Sequence, residues 1–160
     1  MHVRVAAILL SVAACGACAS GADGPVFASF DPIPPGDARL YVYNSHHPSV
    51  WILVDGRELS ELRYGGYVSV ALAPGKYHLA AEGADWRSRR LDDAERDIRL
   101  EPGTALVCEY WAEEFGLPDV SRYPNVGRPT ALSCSEDAND HPDLRECRRD
   151  DVFEDALWRP

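Results

Sequence analysis

Three short breaks, Asp55-Gly56, Pro74-Gly75 and Pro102-Gly103, divide the middle of the chain into runs too short for ordinary helices. Asp-Gly is a strong hairpin signal, because a type I′ turn holds both central residues at positive φ and glycine adopts that region without strain. Pro74-Gly75 fits the central positions of a type II turn. The runs between these breaks are rich in β-branched and aromatic residues: Arg39 to Asn44 (RLYVYN), Val50 to Val54 (VWILV), Arg57 to Leu62, Tyr67 to Ala73, Lys76 to Ala81, Asp97 to Leu100 and Thr104 to Trp111. Within the fourth run, Val68, Val70 and Leu72 alternate with Tyr67, Ser69 and Ala71, the pattern of a strand with one buried face. Short strands at this spacing predict a mainly β chain, a small antiparallel β-sandwich or barrel over residues 38 to 111.

The flanks differ in kind. Residues 16 to 37 combine small residues with Pro25, Pro32, Pro34 and Pro35 and show no periodicity, which reads as a linker. Residues 112 to 160 hold twelve acidic and six basic residues and form an acidic C-terminal extension expected to pack on the sandwich. Thr130 to Ser133 suit a last strand. Pro142 to Arg149 suit one helix of about two turns, with Asp140 or His141 near its start and Leu144 facing inward. Val152, Phe153, Leu157 and Trp158 suit a docked helical turn, so the extension is expected to be irregular and partly helical. The whole chain carries 16 Lys or Arg against 26 Asp or Glu, a net charge of −10 that argues against a nucleic-acid partner.

The first residues carry the most specific signal. Arg4 precedes an apolar stretch from Val5 to Leu10 that tapers into Ser11, Val12, Ala13 and Ala14, the layout of a short secretory signal over residues 1 to 14. Nothing in the chain reaches the roughly 18 consecutive apolar residues of a spanning helix. The segment Leu10-Ser11-Val12-Ala13-Ala14-Cys15 resembles the lipobox of bacterial lipoproteins, in which the Cys is acylated and becomes the mature N-terminus. The resemblance implies that Cys15 is a lipid attachment site and that membrane lipid is a partner. Each buried methylene contributes about 0.8 kcal/mol, so several acyl chains give a stable anchor where one is marginal. Gly16 rather than Asp follows Cys15, which in enterobacteria-like sorting implies an outer-membrane location facing the periplasm. A linker of about 22 residues behaving as a coil reaches roughly 25 Å, which would float the folded part just off the membrane surface.

A second resemblance lies in the sandwich region. Ala38-Arg39-Leu40-Tyr41-Val42-Tyr43, Val54-Asp55-Gly56-Arg57-Glu58-Leu59, Leu62 to Tyr67 (LRYGGY) and Leu72-Ala73-Pro74-Gly75-Lys76-Tyr77, in that order, resemble the bacterial lipoprotein family named domain of unknown function 2846. Part of the order is shared with PEGA-like and carboxypeptidase-regulatory-like sandwiches. The resemblance covers residues 38 to 111 and implies an envelope location and a β-sandwich. It brings no catalytic residues and no cofactor.

Candidate chemistry is sparse. His46 and His47 sit on a loop between strands; adjacent His side chains point apart in extended chain, so a metal there would need further ligands such as His78. No G-x-S-x-G elbow occurs. The pairs Asp92-Asp93, Glu113-Glu114 and Asp150-Asp151 read as solvated surface in so acidic a chain. Arg87-Ser88-Arg89-Arg90 is followed by Asp92, Asp93, Glu95 and Asp97, which neutralise it locally. Tyr41, Tyr43, Trp51, Tyr64 and Tyr67 are expected to fill the core of the sandwich. Two readings stand: a non-enzymatic envelope lipoprotein that contacts another envelope protein, peptidoglycan or lipid, or an envelope enzyme or metal carrier whose site uses loop residues such as His46 and His47.

Beyond Cys15 there are four cysteines, Cys18, Cys108, Cys134 and Cys147, and an envelope location permits disulfides. Cys18 is close to the anchor in a linker. Cys108 shares an apolar strand face with Leu106 and Tyr110, where a free thiol behaves as a small hydrophobe. Cys134 and Cys147 flank a polar stretch with few apolar residues to hold it. A Cys134 to Cys147 bridge is expected, with Cys108 to Cys134 as the alternative.

Overall fold

The computed structural model describes residues 22–45, 49–83, 94–112 and 130–150. Among the described residues nine strands form two sheets: β1 (Ala38–Asn44), β2 (Val50–Val54), β3 (Arg57–Leu62), β4 (Gly66–Leu72), β5 (Gly75–Gly83), β6 (Ala94–Leu100), β7 (Ala105–Ala112), β8 (Thr130–Ser135) and the short β9 (Arg148–Arg149). One sheet has the order β8-β7-β1-β4-β9 and the other β3-β2-β5-β6. The fold is the expected mainly β sandwich.

Its topology explains which turns are hairpins. Asp55 and Gly56 have φ of 50° and 74° and join β2 to β3 within one sheet, the type I′ geometry. The two Pro-Gly breaks instead carry the chain from one sheet to the other, between β4 and β5 and between β6 and β7. At the second, Gly103 has φ 74° and Thr104 N–H donates to Glu101 O at 3.2 Å, as in a type II turn. At the first, the expected type II turn does not form. Gly75 lacks positive φ because it is already the first residue of β5, paired with Leu100.

The expectation of a purely antiparallel sandwich also needs correction. β1 pairs with β7 in parallel, and β4 with β9 likewise; the other five pairings are antiparallel. From β1 to β7 each connection reverses the chain, so β1 and β7 run the same way and pair in parallel once they are neighbours in one sheet.

The inner core lies between the sheets, built from Leu40 and Val42 of β1, Val50, Ile52 and Val54 of β2, and Val68, Val70 and Leu72 of β4. The alternate residues of β1, Tyr41 and Tyr43, are fully buried too, so β1 is covered on both faces. Their cover is a second apolar layer of Tyr41, Tyr43, Tyr67, Val107, Leu144 and Cys147 on the outer face of the five-stranded sheet. The flanks supply it. Residues 22 to 37, read from sequence as linker, lie against this face as a strap, with Phe27 set edge-on to Tyr41 at 6.0 Å and to Tyr67 at 5.5 Å. Residues 141 to 150 run beside the strap, through hydrogen bonds from Phe27 N–H to Cys147 O (2.9 Å) and from Arg149 N–H to Pro25 O (2.9 Å). The helix expected over 142 to 149 is instead a 3-10 turn at Pro142–Glu146 followed by β9. Leu144 does face inward, at 2% exposure. The backbone groups of residues 147 to 149 bond to the strap and to β4, which a continuing helix would forbid.

Candidate functional site

The sequence-derived site residues fall in three places. Cys15, His46 and His47 lie outside the described residues, as do Cys18, the Arg87 to Arg90 cluster and the apolar tail from Val152. His78 lies beside Val54, where Asp55 N–H donates to His78 O at 2.8 Å, and it faces Asp97 at 3.0 Å and Glu95 at 3.7 Å on the exposed face of the second sheet. Its hydrogen bond to Asp97 holds the imidazole above its usual pKa. No group of three or more potential metal ligands occurs among the described residues.

The cysteines correct the expected bridge. Cys108 and Cys134 are bonded and Cys147 is a buried free thiol. Register explains this, because β7 and β8 pair antiparallel with Cys108 directly opposite Cys134. Both face the inner core, whereas Cys147 belongs to the outer layer, so a Cys134 to Cys147 bond would have to pass through the sheet. The signal for the observed pair was present in part: Thr130 to Ser133 reads as a strand, and one further residue of it reaches Cys134.

Among the described residues a group of polar side chains converges where the strap crosses the sheet. Asp31 Oδ2 accepts from Arg149 Nη2 at 2.6 Å, Ser69 Oγ at 2.8 Å and Arg39 Nη1 at 3.2 Å, and Asp31 N–H donates to the Tyr41 hydroxyl at 2.6 Å. Burial pushes the Asp31 carboxyl up, but the Ser69 hydrogen bond and the positive charges of Arg149 and Arg39 outweigh it and hold the pKa below the usual range. Arg149 also lies over the Tyr67 ring, 5.9 Å from its centroid. One carboxylate thus ties the strap, β1, β4 and β9 together. None of this was legible in the sequence, because the partners are up to 118 residues apart.

A second buried group lies beside it. The Tyr43 hydroxyl is 3.2 Å from His141 Nδ1, and Glu109 lies 4.0 Å from the same nitrogen. Cys147 Sγ donates to Asp143 O at 3.3 Å. Burial, aided by Asp143 and Glu109, pushes the Cys147 thiol up to about 12, so it stays protonated and is a poor nucleophile. Burial likewise raises the Tyr43 phenol. Such groups suit packing and fixed hydrogen bonding rather than proton transfer near neutral pH. Of the aromatics expected in the core, Tyr41, Tyr43 and Tyr67 are buried in the outer layer, Trp51 is half-buried and Tyr64 is 38% exposed.

No family model, curated protein or solved structure matches this chain, so the family resemblance rests on its motifs alone.

Proposed function

We propose that the protein is an envelope lipoprotein: a non-enzymatic β-sandwich held at a membrane through acylated Cys15, binding or bracing another envelope component such as a protein or peptidoglycan. The observation that carries this reading is the ordered run of Arg4, the apolar stretch Val5 to Leu10 and the small residues before Cys15. The Cys108–Cys134 disulfide supports it, since disulfides persist in oxidising compartments outside the cytoplasm. So does the use of polar groups near the strap: they are engaged in holding segments together, and the free thiol is unsuited to nucleophilic work.

The strap changes the expected tether. With Ala22 buried and Gly24 N–H bonded to Arg149 O, only residues 16 to 21 lie between Cys15 and the packed chain. As a coil such a segment reaches roughly 13 Å rather than the 25 Å of a full linker. The sandwich is then held against the membrane rather than floated off it. Cys15→Ala should leave the precursor unprocessed or move the protein out of the membrane fraction. A Cys15→Ala protein that is processed and retained like the parent would reject the anchor.

A further inference from the structure

On the reading that Cys15 is acylated, we infer that the strap side of the sandwich lies directly on the lipid headgroups, with Val26, Phe30 and Tyr64 as its contact residues. Four large apolar side chains are exposed among the described residues: Val26 (46%), Tyr64 (38%), Phe30 (37%) and Trp111 (36%). Three of these belong to the strap or to the β3–β4 turn that it touches. Asp23 pairs with Arg63 at 3.2 Å, and Arg148 joins the two by bridging to Val26 and donating its N–H to Gly65 O at 2.8 Å. Val26 and Tyr64 therefore sit at one corner of the molecule. Phe30 is held further along the same strap by edge contacts to Tyr41 at 4.9 Å and Phe27 at 5.3 Å.

Chain length selects the lipid surface as the occupant. Six residues separate Cys15 from the buried Ala22, and the seven steps along the chain span at most about 25 Å when fully extended. Acyl chains on Cys15 therefore keep the start of the strap at the bilayer, whatever the orientation of the rest. The exposed Val26, Phe30 and Tyr64 match the membrane interface, where apolar and aromatic side chains sit at headgroup depth and a second contact reinforces a lipid anchor.

Photocrosslinking on the full chain, expressed with its own leader, tests this. The photoreactive residue p-benzoylphenylalanine replaces Val26, Tyr64 or, as a far-side control, Asp97, whose side chain is 92% exposed. Each purified protein is irradiated in vesicles of phosphatidylethanolamine and phosphatidylglycerol and also in isolated membranes. Formation of the Cys108–Cys134 bond reports folding, and the mass of the N-terminal peptide reports acylation. Lipid adducts at positions 26 and 64, with loss of adducts at 97, are the expected result. An acylated protein that gives no adducts at 26 and 64, equal adducts at all three, or protein adducts in place of lipid ones overturns the inference while leaving the anchor standing. An unacylated N-terminus overturns both.

Discussion

Cys108 on β7 and Cys134 on β8 stand directly opposite each other in the antiparallel ladder, and their bond closes a loop between residues 26 apart in sequence. Loop-closure entropy of that length corresponds to about 3.5 kcal/mol at 25 °C. Urea unfolding with and without reductant should show a loss of that order. Cys147 should resist alkylation in the folded protein and react after unfolding, because it is buried and its thiol is held protonated. A peptide linking Cys134 to Cys147 would contradict the pairing.

Asp31 is the fastening of the strap, and its loss should be felt there first. Its side chain is 34% exposed, so solvent screens the ion pairs and Asp31→Ala should cost about 1 to 2 kcal/mol. Its folded pKa lies below the ordinary 3.8, so its contribution is present above that value and is lost as the pH falls through the lower folded one. Amide exchange should quicken at Phe27 and Arg149, whose N–H groups bond across the strap, before the ladders of the inner sheets respond.

These two relationships also mark what sequence can and cannot tell about such a chain. Strands β1 to β7 were legible because short runs rich in β-branched and aromatic residues lie between turn signals, and the Asp55-Gly56 turn because its φ requirement is local. The strap was not. Prolines and small residues in residues 22 to 37 hide the periodicity that would mark an element, and Phe27 and Phe30 gain meaning only when Tyr41 and Tyr67 are found on the outer face. An earlier hint lay in β1, where residues of both parities are bulky and apolar or aromatic, as in a strand covered twice. The disulfide was settled by register, a property of two strands together. The proposed anchor, by contrast, rests on the sequence alone, because Cys15 lies outside the described residues.

At the β2–β3 turn, backbone strain can be measured without steric confusion, because nothing lies within 4 Å of a Cβ built on Gly56. Gly56→Val should cost about 1 to 3 kcal/mol, since a β-branched residue is strained at positive φ. Gly56→Asn should cost far less, because Asn adopts that region more readily. Equal midpoints for the two variants in urea would show that the turn is not strained as described.

His78 offers a pH signal on the second sheet. The hydrogen bond to Asp97 raises its pKa above 6.5, so the charged pair is complete below that value and is lost as the pH rises through the folded pKa. The His78 ring resonances followed by NMR should titrate above the ordinary value, and Asp97→Asn should bring them down. High salt should weaken the shift, because the group is exposed.

Whether lipid on Cys15 holds the sandwich at a membrane is decided by the mass of the mature N-terminal peptide from membrane-extracted protein. The expected peptide begins at Cys15 and carries acyl chains. An unmodified N-terminus, or one created elsewhere such as after Gly21, would contradict the anchor.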